Sequence, residues 1–154
     1  MSERTEPPGA MARMHSAEHI LTAVMARLYG SPRSVETHLN AKKSKCDFPV
    51  NRRLEESDAR KIEEAVNAEI YADHVVNVMH ITRTQAAKQL DLWKVPDAVD
   101  PIRVVHIGDL DKTACVGEHV RRTSQIGRFL LRNLTMKDDR TVRIRFGLQG
   151  ADSA

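Results

Sequence analysis

The chain has 154 residues, of which 41% are hydrophobic and 29% are charged, as is usual for one globular domain with its own core. No apolar run approaches the ~20 residues that a membrane-spanning helix needs. The net charge of +3 permits binding to nucleic acid, whereas an aromatic content of 4% argues against a protein that binds single strands by stacking their bases.

The predicted elements mix helices with strands in chain order. Helices are recognised by apolar residues at steps of three and four, and strands by alternation of apolar and polar residues. We predict helices at 12–29, 58–71 and 82–90, with Ser57 capping the second and Thr82 or Thr84 the third. We predict strands at 34–39, 46–50, 75–81, 102–107, 129–131 and 141–148, the first two and the last two forming hairpins. Residues 109–119 are predicted to be mostly connection, and the whole order predicts an α+β domain with a mainly antiparallel sheet.

Residues 1–10 have the pattern of neither a signal peptide nor an amphipathic anchor. The expected divisions are a disordered leader, a single domain and a tail, at residues 1–10, 11–149 and 150–154. Cys46 and Cys115 are the only cysteines, and nothing else suggests secretion. We therefore expect reduced thiols and a cytoplasmic protein, with Cys46 packed rather than reactive, and we favour a monomer.

Two pairs of candidate metal ligands stand out. His15 and His19 lie four residues apart on the first predicted helix, so both rings project from one face, away from its apolar stripe. Cys115 and His119 repeat the same spacing about a hundred residues later. Three nitrogens and one sulfur suit zinc. The two histidines alone would fit a solvent-facing pair equally well, but the four residues together favour a shared metal or catalytic site.

Three uses of such a site are open. In a hydrolase, zinc or the His/Cys set itself would position or activate a water. A purely structural zinc site is the second use, because sites closed by four protein ligands are usually structural. A zinc protease is the third, since His15, Glu18 and His19 match the inverted zincin pattern, although the chain is small for that class and offers no obvious distant Glu ligand. Glu118 could accept a proton, hold a substrate amine or orient His119, or it could simply lie at the surface.

Basic residues are dense in the first hairpin and just after His119. They can contact phosphates, although any one of them alone is more simply a solvated charge. The set is Lys42, Lys43, Lys45, Arg52, Arg53, Arg121, Arg122, Arg128, Arg132, Arg143 and Arg145. From it we take Lys42, Lys43 and Arg121 as candidate substrate-binding residues.

Several runs of sequence resemble the editing domain that alanyl- and threonyl-tRNA synthetases share. His-x-x-x-His on the first helix is followed much later by Cys-x-x-x-His, and residues 119–127 resemble the His-Val-x-x-Thr-x-x-Ile-Gly run of the alanyl branch. Residues 62–67 and 103–109 agree as well. The resemblance covers about 14–148, and the length is similar to that of the free-standing AlaX proteins.

This resemblance implies a two-layer sandwich of a mainly antiparallel sheet with helices on one side. It implies a deacylase that acts in trans and hydrolyses the ester of mischarged tRNA(Ala), first of all Ser-tRNA(Ala) and also Gly-tRNA(Ala). Carried over position by position, the zinc ligands and catalytic residues are His15, His19, Cys115 and His119. Glu118 stands where the family usually has Thr, and Thr37 is the candidate for recognising the seryl hydroxyl. The rival is a non-catalytic, zinc-bearing tRNA-binding module that is accessory to a synthetase.

Overall fold

A computed structural model describes residues 9–149. The helices are α1 Ala10–Tyr29, α2 Glu56–Tyr71 and α3 Arg83–Ala87. The strands are β1 Glu36–His38, β2 Ser44–Pro49, β3 Val76–Ile81, β4 Ile102–Ile107, β5 Asp111–Ala114, β6 Phe129–Asp138 and β7 Thr141–Leu148. Residues 1–8 of the predicted leader and the whole predicted tail lie outside the described residues. Within the described part, no helix combines the length and the apolar character needed to span a membrane.

The strands form two sheets, one of four strands in the order β1-β2-β7-β6 and one of three in the order β3-β4-β5. Every pairing is antiparallel. The predicted α+β fold with a mainly antiparallel sheet is therefore confirmed. The division into two sheets was not predicted, because local periodicity identifies strands but not the distant strands with which they pair.

The main core lies between the inner face of the four-stranded sheet and the pair of helices α1 and α2. Strand β7 shows how the sequence gives this sheet one buried face and one polar face. Val142, Ile144 and Phe146 are fully buried on the inner face, while Arg143 and Arg145 alternate with them and point to the other side. The four-stranded sheet therefore has a polar outer face.

Two predicted elements were wrong in kind or in extent. Residues 111–114, predicted as connection, form the edge strand β5, whose partly exposed Asp-Lys-Thr-Ala sequence has no apolar alternation to reveal it. Strand β6 runs to Asp138 and does not end at 131. Side chains in its second half alternate between half-buried and exposed positions. Helix α2 is capped by Glu55 instead of Ser57, since Asp58 accepts a hydrogen bond from the backbone N–H of Glu55. The Thr82 cap of α3 is confirmed.

Several other boundaries shift by a few residues. Helix α1 begins two residues earlier than predicted and α3 ends three residues earlier, and β1 has only three residues. Helix α3 packs on the three-stranded sheet in a small core formed by Ala86, Ile102 and Val104. This core fixes β4 and β5, and β5 leads directly into the second pair of candidate ligands.

Candidate metal centre

Helix α1 and the segment after β5 bring the four predicted ligand residues together. The ligand atoms offered by His15, His19, Cys115 and His119 all lie within 4.8 Å of one another. Cys115 Sγ is 3.3 Å from His15 Nε2 and 3.5 Å from His119 Nε2. The group can hold a metal ion, because three imidazoles and one thiol converge on one small volume.

Asp111 orients one of the imidazoles from β5. Its Oδ2 lies 3.0 Å from Nδ1 of His19, a residue that is only 2% exposed. Asp111 is itself held by the guanidinium of Arg33 at 3.3 Å and by the hydroxyl of Thr113 at 3.0 Å. With Nδ1 bound to the carboxylate, His19 keeps Nε2 for the cluster. A carboxylate behind a ligating histidine is a usual feature of metal sites.

Ser16 has the same role for His119. Its Oγ accepts a hydrogen bond from the backbone N–H of Val120 at 3.1 Å and lies 2.9 Å from Nδ1 of His119. When Nδ1 carries the ring hydrogen and donates it to Ser16, Nε2 keeps its lone pair for a metal. Ser16 is fully buried, so this contact is shielded from water.

Neither supporting residue was predicted from the sequence, for different reasons. A serine beside the apolar stripe of α1 was a usable signal, because a buried hydroxyl needs a partner. Asp111 gave none, since only the tertiary fold places β5 beside α1.

Charges within the cluster favour a thiolate. Burial by itself would raise the pKa of the Cys115 thiol, but the imidazoles of His119, His15 and His19 outweigh it and lower that pKa to about 3. Burial also opposes protonation of His19, yet its contacts with Asp111 and Cys115 raise the pKa of His19 to about 9. Burial lowers the pKa of His119 below its ordinary value. Cys115 is therefore ionised at neutral pH, the form that binds metals, whereas His19 would release its Nε2 proton when an ion binds.

The segment after β5 approaches α1 most closely at Gly117. A Cβ at this position would lie 2.1 Å from Cε1 and 2.2 Å from Nδ1 of His15, so no larger residue fits without displacing that ring. From β4, Arg103 donates hydrogen bonds to the carbonyl oxygens of Cys115 at 2.6 Å and Gly117 at 2.9 Å. The glycine permits the approach, and the arginine holds the segment in place.

A cleft of about 200 Å³ opens beside the cluster. It is lined by His15, Glu18, His19, Arg33, Asp91, Trp93, Lys94, Val95, Thr113, Ala114 and Cys115. Trp93 is 69% exposed, and Nζ of Lys94 lies 4.9 Å from the centre of its ring. The segment after α3, where no site residue was predicted, thus contributes an aromatic face and a positive charge.

The remaining candidate site residues lie at varying distances from this cleft. Glu118 is exposed between Gly117 and His119 and makes no side-chain hydrogen bond within residues 9–149. Glu18 lines the cleft and accepts a hydrogen bond from the Thr22 hydroxyl at 3.0 Å. Arg121 is exposed, and its backbone N–H donates to the side chain of Gln125.

Thr37 and the two lysines lie on the first hairpin, outside the lining of the cleft. Thr37 pairs with Cys46 across β1 and β2 and donates a hydrogen bond to Ser34 Oγ at 2.7 Å. Burial raises the pKa of Cys46, and the nearby charge of Glu18 adds to this shift. Thr37 and Glu18 are thus both neighbours of the packed Cys46 thiol. Lys42 is exposed in the turn, and Lys43 lines a different and larger cavity.

Comparison of the sequence with known proteins finds one family of domains and several similar ligases. The sequence-family model of the threonyl and alanyl tRNA synthetase second additional domain matches residues 102–145, which include the Cys115–His119 pair. The alanine–tRNA ligase of Legionella pneumophila is 34% identical over 120 residues, and that of Nitrosomonas europaea is 32% identical over 117 residues. Each of these matches covers 75% of the chain but only 14% of the ligase.

A third relative extends the match slightly. The alanine–tRNA ligase of Polaromonas naphthalenivorans is 31% identical over 126 residues, which is 80% of the chain and 14% of the ligase. The chain thus spans about one seventh of the length of these relatives. By its sequence, the chain belongs to the family of the threonyl- and alanyl-tRNA synthetase second additional domain, the editing-domain family.

Proposed function

We propose that the chain is an aminoacyl-tRNA deacylase that acts in trans in the cytoplasm and hydrolyses the ester of mischarged tRNA(Ala). Ser-tRNA(Ala) is the first substrate and Gly-tRNA(Ala) the second. The observation that carries the proposal is the His/Cys cluster, assembled beside a cleft and supported from behind by Asp111 and Ser16. Membership of the editing-domain family supports a role on tRNA.

The donor set fits zinc. Nδ1 of His19 and Nδ1 of His119 are both engaged by hydrogen bonds, which leaves three imidazole nitrogens and the Cys115 thiolate for one ion. His15, His19, Cys115 and His119 would hold it. When bound, zinc would supply a Lewis acid that polarises an ester carbonyl or lowers the pKa of a water.

The protein's own groups explain how an aminoacyl end could be held. The aminoacyl group of the ester keeps a free α-ammonium group, and Glu18 places a carboxylate on the cleft wall. Thr37, whose strand partner Cys46 lies near the charge of Glu18, is the proposed partner of the seryl hydroxyl, because its oxygen can accept a hydrogen bond that alanine cannot donate. Glu118 is the proposed proton acceptor, and Trp93 offers a face for the terminal base. Lys42, Lys43 and Arg121 would contact phosphates farther away.

A non-catalytic tRNA-binding module is the second candidate. It is favoured by one observation, namely that four protein ligands would leave a tetrahedral zinc no open position. Turnover separates the two candidates.

The test is release of serine from Ser-tRNA(Ala), with Ala-tRNA(Ala) as the control substrate and with and without a chelator. We expect hydrolysis of the seryl but not the alanyl ester, suppressed by the chelator and restored by zinc. His19→Ala and Cys115→Ala should abolish it, whereas His80→Ala, which removes an exposed histidine outside the cluster, should not. Binding of tRNA without hydrolysis of seryl, glycyl or threonyl esters would favour the binding module. A hydrolysis rate that the chelator does not change would assign the chemistry to the His/Cys set alone.

A further inference from the structure

A larger cavity of about 620 Å³ lies on the outer face of the four-stranded sheet. Its lining includes Lys43, Lys45, Arg132, Arg145, His38 and Asn40, and none of its lining residues is acidic. We refer to it as the basic groove. It shares no lining residue with the cleft beside the His/Cys cluster.

Strand alternation explains why the basic groove lies on the outer face. Cys46 and Ile144 are paired across β2 and β7 and are buried against the helices. Their neighbours Lys45 and Arg145 are also paired and therefore point to the opposite side of the sheet. The groove and the His/Cys cluster are thus separated by the sheet itself.

Two local irregularities make room for a third cation. The register of β6 against β7 shifts between Leu131 and Asn133, so Arg132 is the extra residue of a β-bulge. Bulges redirect a side chain from the regular alternation. On β7, Gly147 leaves open the space that a side chain would fill. A Cβ there would lie 3.5 Å from Nε of Arg132 and 3.0 Å from the carbonyl oxygen of Lys42, so the guanidinium and the β1–β2 turn both lie over the glycine.

The cations of the groove are not neutralised by the protein. Within residues 9–149, none of Lys43, Lys45, Arg132 and Arg145 forms an ion pair with a carboxylate. Elsewhere on the same outer face the opposite holds. Arg143 and the second bulge residue, Lys137, both bind the fully buried carboxylate of Asp47, at 2.8 Å and 3.3 Å.

We propose that the basic groove binds the phosphate backbone of the RNA at a distance from the ester, and so supplies affinity for the tRNA body without taking part in hydrolysis. This proposal rests on the proposed function for the identity of the RNA. Concentrated like charges repel one another in the free protein, and a chain of phosphates relieves that repulsion. The planar guanidiniums suit phosphate oxygens. Among the described residues, the large hydrophobic side chains that are exposed all lie outside the groove, which argues against a lipid surface.

The test compares two double variants that remove the same charge. R132Q/R145Q removes both arginines of the groove, and R60Q/K61Q removes two exposed cations of α2 that lie outside it. The affinity for deacylated tRNA(Ala) is measured at several salt concentrations. We expect R132Q/R145Q to weaken binding about tenfold or more and to reduce the slope of log affinity against log salt by about two, and we expect R60Q/K61Q to leave both unchanged.

A second variant and a second readout keep the outcome clear. K43Q/K45Q should weaken binding in the same way, which covers the case in which R132Q/R145Q fails to fold. At saturating Ser-tRNA(Ala), the single-turnover rate of R132Q/R145Q should equal that of the unchanged protein. Equal tRNA affinity in the groove and control variants would overturn the proposal. Groove variants that lose binding to anionic phospholipid vesicles but keep their affinity for tRNA would overturn it as well. If no ester is hydrolysed but the groove variants still lose tRNA affinity, the proposed function fails and the groove proposal stands.

Discussion

Asp111 lies behind His19 with its carboxylate 3.0 Å from Nδ1 and is held there by Arg33 and Thr113. The position of His19 therefore depends on a residue that would not itself bind the ion. In metal sites, loss of such a partner typically lowers metal affinity 10- to 100-fold, because the ring loses its orientation and basicity.

We predict that Asp111→Asn lowers zinc affinity by about this factor while the fold persists. The measurement is competition for zinc against a chromophoric chelator. Asp109→Asn is the matched control, since Asp109 is exposed two residues away and should leave the affinity unchanged. Equal affinities in the two variants would show that Asp111 does not orient His19 toward an ion.

Trp93 gives a second prediction at this scale. It is the only tryptophan, it is 69% exposed, and it lies at the cleft beside the cluster. If the terminal base of the RNA stacks on it, RNA binding should quench the intrinsic fluorescence. Trp93→Ala should raise KM about tenfold with little change in kcat, as expected from the 1–3 kcal/mol of base stacking, and Trp93→Phe should retain most of the affinity. Unchanged fluorescence on saturation with tRNA would place the base elsewhere.

At the scale of elements, Asp58 joins the start of α2 to the end of α1. Its carboxylate accepts hydrogen bonds from the Glu55 backbone N–H at 2.8 Å, from Arg52 at 2.9 Å and from the Tyr29 hydroxyl at 2.7 Å. The Arg52 guanidinium is the largest cause that holds the pKa of Asp58 well below its ordinary value, against the opposing effect of burial. The folded state therefore stabilises the ionised carboxylate.

We predict that Asp58→Asn lowers the free energy of unfolding by about 2 kcal/mol at neutral pH. Because the folded-state pKa is depressed, this stabilisation is present above the unfolded-state pKa of about 4 and is lost as the pH falls below it. The difference between the two proteins in urea unfolding should therefore shrink as the pH falls from 5 toward about 2. Asp139→Asn breaks a largely exposed ion pair with Arg53 and should cost less than about 1 kcal/mol. A difference that stays constant over that pH range would contradict the assignment.

At the scale of the whole molecule, the cluster joins two parts of the fold. His15 and His19 belong to the helix that packs on the four-stranded sheet, while Cys115 and His119 follow the last strand of the three-stranded sheet. An ion bound by all four side chains would link these parts. Any ligand that binds only the folded state stabilises it, by about 4 kcal/mol when its concentration is a thousand times its Kd.

We predict that zinc raises the midpoint of thermal unfolding over that of the chelator-treated protein, whereas magnesium does not. The double variant H19A/C115A, which has lost a ligand from each side of the cluster, should show no such shift. Differential scanning calorimetry at one protein concentration checks both expectations. Equal midpoints with zinc and with chelator would mean that the four residues do not form a metal site in the folded protein.

Local sequence was sufficient for part of this picture. The periodicity of α1 and the alternation of β7 identified those elements, because burial of one face imposes a pattern that can be read without knowing the neighbour. The step from His15 to His19 identified the first candidate ligands for the same reason, since residues four apart share one face of a helix. Cys115 and His119 repeat that spacing but lie in the irregular segment after β5, so there the spacing marked the residues and not a helix face. The family was also recognisable from the sequence alone, because its motifs are short and contiguous.

Tertiary structure decided the rest. Asp111 and Ser16 became supports of the cluster only when β5 and the segment after it were placed against α1, and no local pattern encodes a contact across about ninety residues or more. The edge strand β5 escaped prediction because its half-exposed residues need no apolar alternation. The basic groove likewise depends on a bulge at Arg132 and on the open space at Gly147, and these arise from the register between β6 and β7. Sequence determined which side chains are available, and long-range pairing determined which of them meet.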